Sequence, residues 1–232
     1  MIIGVPKEIK LQEHRIGLTP DSVKVLTDKG HEVLVQTNGG FEAGFTDENY
    51  KNAGGKIISS AEEIFRKAEL IVKVKEPQES EVKLIKENQI IYTYLHLAAA
   101  KKLTEGLIKS KSICIAYETV TDDNGRLPLL APMSAVAGRM SIQAGAHSLE
   151  KNQKGRGLLL GGAPGVEPAN IVILGGGVVG ENAAIIATGM RGKVYVVDKS
   201  KERLKQLHEM FGDKIIPSES DKTDLKKLIT DC

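Results

Sequence analysis

The feature that most constrains this chain is a glycine turn between two apolar segments. The apolar run Asn170–Leu174 leads into Gly175, Gly177 and Gly180, which satisfy the pattern G-x-G-x-x-G where a helical segment begins. In such a turn the first glycine permits the bend, the second lets the backbone approach a pyrophosphate, and the third lets the helix pack on the strand. The helix N-terminus offers N–H groups to the phosphates. The context predicts a dinucleotide-binding βαβ unit.

The second apolar segment of this unit, Lys193–Val197, is followed by Asp198. A carboxylate at this point accepts hydrogen bonds from the adenosine ribose and repels the 2′-phosphate of NADP, so the sequence predicts NAD as the cofactor. The alternative is a glycine-rich turn in an unrelated α/β fold, with Asp198 acting as a helix cap.

Short apolar runs alternate with segments of helical spacing before this unit, a pattern typical of parallel α/β architecture. Strands are predicted at Ile2–Val5, Glu32–Gln36, Leu70–Val74, Ile90–Leu95 and Ser112–Tyr117. One helix is predicted in TPDSVKVLTDKG, with Thr19 as its N-cap and Gly30 as its stop signal. Further helices are predicted in AEEIFRKA, SEVKLIKEN and KKLTEGLIKS.

The composition then changes. Residues 131–168 contain a helical run rich in Ala, Ser, Met and Gly, followed by a loop rich in glycine and proline. From residue 169 the alternation restarts, with helices predicted at Val178–Thr188 and Lys201–Phe211, a short strand at Lys214–Ile216 and a last helix in TDLKKLITDC. We therefore predict a substrate or catalytic domain in residues 1–130, a connecting helix and loop in residues 131–168, and the first half of an NAD-binding domain in residues 169–232.

The predicted fold class is α/β, with two doubly wound Rossmann-like domains of which the second is incomplete. A dinucleotide domain needs two βαβαβ halves, and only one helix follows the short strand Lys214–Ile216.

Charge and cysteine content exclude several classes of protein. Lys and Arg number 32 against 30 Asp and Glu, and the resulting net charge of +2 gives no reason to predict binding to nucleic acid or to an anionic membrane. No stretch reaches the roughly 18 apolar residues of a membrane helix. Because Cys114 and Cys232 form no spaced framework, the cytoplasm is the predicted location.

Several short segments indicate a family only when they are taken together and in order. Taken singly, Arg15 is interpreted as a surface arginine, Lys73 and Lys75 as residues flanking a strand edge, and His96 as a histidine at a strand end. Followed by the glycine turn, the segments GVPKE, GLTP, KVKEP, LHLAA, AYET, PLLAPMS and GGAPGVEPA closely resemble the alanine dehydrogenases, which share their fold with the proton-translocating transhydrogenase α subunit. The resemblance runs through essentially all 232 residues.

The resemblance implies a substrate domain that holds a small 2-oxo or 2-amino acid. Arg15 is the residue implied to bind the substrate carboxylate, which suits a guanidinium because its planar fork pairs bidentately with a carboxylate. Lys75 is implied to contact the carbonyl or carboxylate oxygen of the substrate and to act in catalysis. His96 is implied to be the acid/base group, since an imidazole exchanges protons near neutral pH.

On the cofactor side the resemblance implies contacts with NAD from one set of residues. These are Ser134, Gly175, Gly177, Val178, Val179, Gly180, Asp198, Arg203 and Ser220. The implied reaction is the reversible oxidative deamination of L-alanine to pyruvate and ammonium, with formation of NADH. The family is usually hexameric, so a homo-oligomer is expected. Glu118 is a possible cation ligand by resemblance, but a strand-end carboxylate is the favoured interpretation, and no metal site is predicted.

Two alternatives remain open. In the transhydrogenase α subunit the same fold binds NAD and transfers hydride to a partner's NADP, so the arginine and lysine need not bind an amino acid. The other alternative is a truncated homologue that acts only as a binding or interaction module. Family members continue well beyond residue 232, so we expect the 232-residue polypeptide by itself to be catalytically inactive. The helix around Ser134–His147 is equally suited to packing against a partner copy and to joining two domains.

Overall fold

The chain divides into two units between Leu129 and Leu130. Six parallel strands form the sheet of the first unit. The structure is a computed structural model, and it describes residues 1–230. The strands of the first unit are β1 (Ile2–Val5), β2 (Glu32–Gln36), β3 (Lys56–Ile58), β4 (Leu70–Val72), β5 (Ile90–Thr93) and β6 (Ile113–Ala116). Its helices are α1 (Pro20–Asp28), α2 (Asp47–Asn52), α3 (Ala61–Lys67), α4 (Glu79–Val82) and α5 (Lys101–Ser110).

Both faces of this sheet are buried, as a parallel sheet requires. Val33 and Val35 of β2 contribute to one apolar cluster, together with Tyr50 of α2. Leu34, which lies between them in the strand, contributes to the other cluster with Phe65 of α3. The alternation arises because successive side chains of a strand point to opposite faces.

The strand order β3-β2-β1-β4-β5-β6 fixes where a ligand can bind. β2 and β3 lie on one side of β1, whereas β4, β5 and β6 lie on the other, so the direction of winding reverses between β1 and β4. In open α/β sheets the crevice outside the carboxyl ends of the strands at such a reversal is the usual ligand site. Here the loops after β1 and β4 flank it.

The second unit has a smaller parallel sheet. Its strands among the described residues are β7 (Asn170–Leu174), β8 (Lys193–Asp198) and β9 (Ile215–Glu219), in the order β7-β8-β9. Its helices are α6 (Ala131–Ser148), α7 (Val178–Gly189), α8 (Lys201–Phe211) and α9 (Leu225–Thr230). We expected α6 to be part of a separate connecting segment, but its Ile142 belongs to the core of this unit. No helix within residues 1–230 combines the length and apolar character needed to cross a membrane.

The predicted α/β class with parallel sheets is confirmed, and the differences are local. The helix predicted in SEVKLIKEN is limited to α4, because beyond it the N–H groups of Leu84 and Ile85 bond to carbonyls three residues earlier. Both α2 and β3 were missed. A signal for α2 existed, since Thr46 and Asn49 form a capping box in which each side chain accepts the other's backbone N–H. The end of the predicted C-terminal helix, at residues 231–232, lies outside the described residues.

Gly180 is the position where the turn from β7 to α7 tolerates no side chain. A Cβ there would lie 1.8 Å from the backbone oxygen of Gly175, whereas one at Gly189 of the same helix would meet nothing within 4 Å. We expect Gly180→Ala to destabilise the second unit by roughly 1–3 kcal/mol, as overpacking does. Gly189→Ala is the matched control and should be neutral or stabilising by up to about 1 kcal/mol. Urea unfolding followed by circular dichroism checks this, and equal stability of the two variants would contradict it.

Candidate functional site

Three residues implied to act on the substrate lie at one edge of the first unit's sheet. Arg15 is in the loop after β1, Lys75 follows β4 and His96 follows β5. Because the strands are parallel, all of these loops leave the carboxyl edge, on either side of the reversal between β1 and β4. The fold therefore brings residues that are far apart in the sequence to the predicted ligand crevice.

Tyr94 connects two of these residues, and sequence reasoning missed it. Its ring stacks on the His96 imidazole, with 6.1 Å between centroids and 12° between planes. Burial raises the pKa of Tyr94, and the nearby charge of Arg15 opposes that rise. The Tyr94 hydroxyl donates a hydrogen bond to the carbonyl of Leu129, which fixes the ring. The aromatic position in YLHLAAA offered no sign of this role, because an aromatic residue at a strand end usually belongs to the core.

Glu13 orients the Arg15 guanidinium and was also missed. Its two carboxylate oxygens accept hydrogen bonds from Nε of Arg15 at 2.7 Å and from Nη2 at 2.6 Å. The Arg15 side chain is the chief cause that lowers the pKa of Glu13 to about 2, and the charge of Lys75 adds to it. The Glu13 side chain is 7% exposed and that of Arg15 43%. The guanidinium is thus held from the protein side while much of it faces solvent.

The main chain of Lys75 is fixed on both sides. Its N–H donates to Oε1 of Glu8 at 3.3 Å, and the same oxygen accepts the N–H of Val74 at 2.6 Å. The carbonyl of Lys75 accepts a hydrogen bond from the Thr93 hydroxyl at 2.9 Å. Glu8 comes from the loop after β1, so this carboxylate joins the two loops that flank the crevice.

The two lysines of KVK have different roles. Lys73 is fully buried, and its Nζ lies 2.9 Å from Glu8 and 2.8 Å from Glu81. Burial raises the pKa of Glu81; Lys73 opposes the rise, and the carboxylate of Glu8 adds to it. Lys73 is therefore an internal counterion for two carboxylates, which leaves Lys75, only partly buried, as the lysine that can reach a ligand.

His96 has an unusual backbone conformation that Glu118 stabilises. Its φ of 50° and ψ of 38° lie in the left-handed region, which a residue other than glycine adopts at a cost. Oε1 of Glu118 accepts the N–H groups of His96 at 2.7 Å and of Leu95 at 3.1 Å. Burial alone would raise the pKa of Glu118. The hydrogen bonds from the N–H groups of His96 and Leu95 and from the N–H of Glu118 itself outweigh burial and lower that pKa. Glu118 follows β6, as predicted for a strand-end carboxylate, and it positions His96.

In the second unit the glycine turn borders a cavity of about 750 Å³. The cavity lining includes Ser134, Gly175, Gly177, Val178, Val179 and Gly180. Gly175 has a φ of 97°, and a Cβ at Gly177 would meet nothing within 4 Å. The first N–H groups of a helix have no partner inside it, so α7 presents donors beside open space. These residues fit a dinucleotide phosphate.

Asp198, Arg203 and Ser220 form a second group, outside that lining. Asp198 accepts the N–H of Gly176 at 2.6 Å and the N–H of Ser200 at 2.8 Å. The Ser200 N–H, followed by that of Gly176, lowers the pKa of Asp198. Ser220 directly follows β9 and donates its N–H to the carbonyl of Asp198 at 3.0 Å. Asp198 therefore contacts the glycine turn as well as the start of the segment leading to α8.

Comparison with known families identifies both parts of the chain. The family described as alanine dehydrogenase/PNT, N-terminal domain, matches residues 4–137, and the corresponding C-terminal domain matches residues 141–232. The chain belongs to the alanine dehydrogenase/PNT family. The resemblance indicated by the motifs is confirmed.

Curated relatives of the chain include two alanine dehydrogenases. That of Methanococcus maripaludis is 50% identical over 229 residues, which cover 99% of this chain and 61% of the relative. That of Halomonas elongata is 53% identical over 211 residues, covering 91% of this chain and 57% of the relative. The chain thus spans about three fifths of the length of the alanine dehydrogenases it matches.

Solved structures show the same fold. An L-alanine dehydrogenase superposes with a TM-score of 0.92 at 48% identity, covering 100% of this chain and 64% of the other. A transhydrogenase from Sinorhizobium meliloti has a TM-score of 0.77 at 21% identity over 93% of this chain and 64% of the other. At that identity the second likeness concerns the fold alone.

The ion pair between Glu13 and Arg15 predicts a pH dependence of stability. Since the pKa of Glu13 falls from the usual 4.5 to about 2 on folding, the ionised form stabilises the fold above pH 4.5, and this contribution is lost as the pH falls through about 2. The difference in unfolding free energy between the wild type and Glu13→Gln should therefore shrink steadily over that interval. Denaturant unfolding at several pH values measures it. Glu62→Gln, at an exposed carboxylate on α3, is the charge-matched control, and the change for Glu13→Gln should exceed the change for this variant.

Proposed function

We propose that this chain supplies the substrate-binding residues and the adenosine-binding residues of an NAD-dependent alanine dehydrogenase. The proposed reaction is the reversible oxidative deamination of L-alanine to pyruvate and ammonium, with formation of NADH. The observation that carries the proposal is the placement of Arg15, Lys75 and His96 in loops at one edge of the sheet, where the strand order reverses. About 50% identity to alanine dehydrogenases over nearly the whole chain supports it.

In this proposal two cations bind the substrate's oxygens. The guanidinium of Arg15, oriented by Glu13, pairs with the substrate carboxylate. Lys75, whose main chain is anchored by Glu8 and Thr93, donates from Nζ to the carbonyl or carboxylate oxygen. Anchoring matters because a lysine has a long, flexible stem, and fixing its origin limits the space its ammonium group searches.

His96 is the proposed acid/base group. Its side chain is exposed at the crevice, while its backbone is held by Glu118 and its ring stacks on Tyr94. A histidine so placed can accept a proton as the amino acid is oxidised and return it in the reverse reaction.

The second unit is proposed to bind NAD. When bound, this cofactor would supply the acceptor for the hydride from Cα of alanine. Val178 and Val179, at the start of α7, donate N–H groups to the phosphates, and Ser134 lines the same cavity. Asp198 accepts hydrogen bonds from the adenosine ribose. Arg203 and Ser220 lie beside it.

We further propose a cytoplasmic homo-oligomer, hexameric by the resemblance. Val136 and Met140 of α6 are 61% and 51% exposed, which suits this helix to contact with a partner copy.

Ligand binding by the 232-residue chain tests the substrate assignments. Titration calorimetry should detect binding of both pyruvate and NAD. Lys75→Ala should weaken pyruvate binding at least about tenfold, because a hydrogen bond to a charged group is lost, and should leave NAD binding unchanged. Lys83→Ala, at an exposed lysine just after α4, is the matched control. Unaltered pyruvate affinity in Lys75→Ala would contradict the assignment.

Turnover tests the reaction and separates it from the transhydrogenase alternative. The chain is joined to the part of the Methanococcus maripaludis relative that follows the matched region. We expect alanine-dependent NADH formation by the joined protein and none by the 232-residue chain alone. His96→Ala should lower kcat of the joined protein by about 10²–10⁴-fold, the contribution of a general acid/base. NADH formation that needs no alanine, or turnover by the 232-residue chain, would contradict these expectations.

A further inference from the structure

We propose that Glu181 is a specificity-determining residue: by binding the Arg203 guanidinium, it prevents that arginine from receiving the 2′-phosphate of NADP. The inference rests on the proposed binding of NAD to the second unit and names the residues that discriminate between the two nucleotides. Asp198 is the acidic residue that the sequence already predicts to repel the phosphate. Glu181 lies on α7, whereas Asp198 ends β8, and Glu181 has no part in that prediction.

All three nitrogens of the Arg203 guanidinium have partners within the protein. Nε donates to the carbonyl of Gly176 at 2.6 Å, Nη1 donates to Gln206 at 3.2 Å, and Nη2 donates to the carboxylate of Glu181. The side chains of Arg203 and Glu181 are only 26% and 28% exposed. The arginine therefore lies folded against the turn, with its charge paired.

Gly176 places this ion pair beside the proposed ribose site. The N–H of Gly176 donates to Asp198, and its carbonyl accepts from Arg203. A Cβ at Gly176 would lie 3.4 Å from Oδ2 of Asp198 and 3.5 Å from Cγ of Arg203. The carboxylate expected to bind the ribose and the arginine are thus attached to the same turn residue.

An arginine in this position is the feature that accommodates a 2′-phosphate in NADP-binding proteins of this fold class. Here Glu181 binds the guanidinium, and Asp198 is bonded to the same turn residue, Gly176, as Arg203 is. The three side chains together therefore carry an excess of negative charge. A phosphate that paired bidentately with the outer nitrogens of Arg203 would compete with Glu181 for Nη2, and displacing Glu181 would leave that carboxylate unpaired. The arrangement therefore disfavours NADP even though an arginine is present.

The geometry also predicts that the two carboxylates act together. Replacing Asp198 alone removes one repulsion but leaves Arg203 bound to Glu181. Replacing Glu181 alone releases Nη2 of Arg203, whose other two nitrogens keep their partners, but leaves Asp198. The gain in NADP affinity from both replacements should exceed the product of the separate gains, because only then does the unpaired charge of Arg203 face a site without a carboxylate.

The experiment is titration calorimetry of the 232-residue chain with NAD and NADP at low salt. Glu181→Ala should strengthen NADP binding about five- to tenfold, the size of one ordinary net hydrogen bond. It should change NAD binding less than about twofold. Glu202→Ala is the control, since Glu202 is exposed on the first turn of α8 and adjacent in sequence to Arg203. In the Glu181→Ala/Arg203→Gln double variant the gain should vanish, which shows that it acts through Arg203.

Three results would overturn the proposal. One is unchanged NADP affinity in a Glu181→Ala chain that still binds NAD and is therefore folded. Another is an equal gain in Glu202→Ala, which would indicate only a general effect of net charge. The last is persistence of the gain in the double variant. If instead the wild-type chain binds neither nucleotide, the proposed function of the second unit fails as well, so the two failures are distinguishable.

Discussion

The crevice at the carboxyl edge of the first unit's sheet depends on one buried carboxylate, that of Glu8. Its oxygens bind Lys73 and the N–H groups of Val74 and Lys75, and so connect the loop after β1 with the loop after β4. These are the loops between which the sheet reverses its winding. A charge is stable in this interior only because Lys73 compensates it and hydrogen bonds satisfy its lone pairs. Removing one member would leave an uncompensated buried charge, so the network specifies loop geometry as well as stability.

Carboxylates that bind backbone N–H groups recur at each part of the two sites. Glu118 binds the N–H groups of Leu95 and His96, and Asp198 binds those of Gly176 and Ser200. Each connects a loop at the carboxyl end of a strand to a neighbouring segment. Parallel strands end at the same edge of the sheet. A carboxylate in one loop can therefore bond directly to the backbone of another loop and hold together residues that are distant in the sequence.

The sequence predicted most elements because their signals are local. The helix α1 begins after Thr19, whose side chain accepts the N–H of Ser22, and the strand β1 spans its predicted residues. It did not predict β3, a three-residue edge strand too short to show alternation. Motif resemblance named Arg15, Lys75 and His96, but not Glu13, Tyr94 or Glu8. Glu8 and Tyr94 contact distant segments, which only the folded sheet brings together. Glu13 binds Arg15 two residues along the same loop, and no motif indicated that pair.

The left-handed backbone of His96 has a consequence for how this position can vary. The conformation is close to neutral for glycine and tolerable for asparagine, but strained for most other residues. Substitution there changes two properties at once, the imidazole and the torsional preference of the loop that carries it. The hydrogen bond from His96 N–H to Glu118 opposes the strain whatever the side chain is. The shape of this loop therefore depends on Glu118, which follows β6, and Glu118 determines where the backbone of His96 lies.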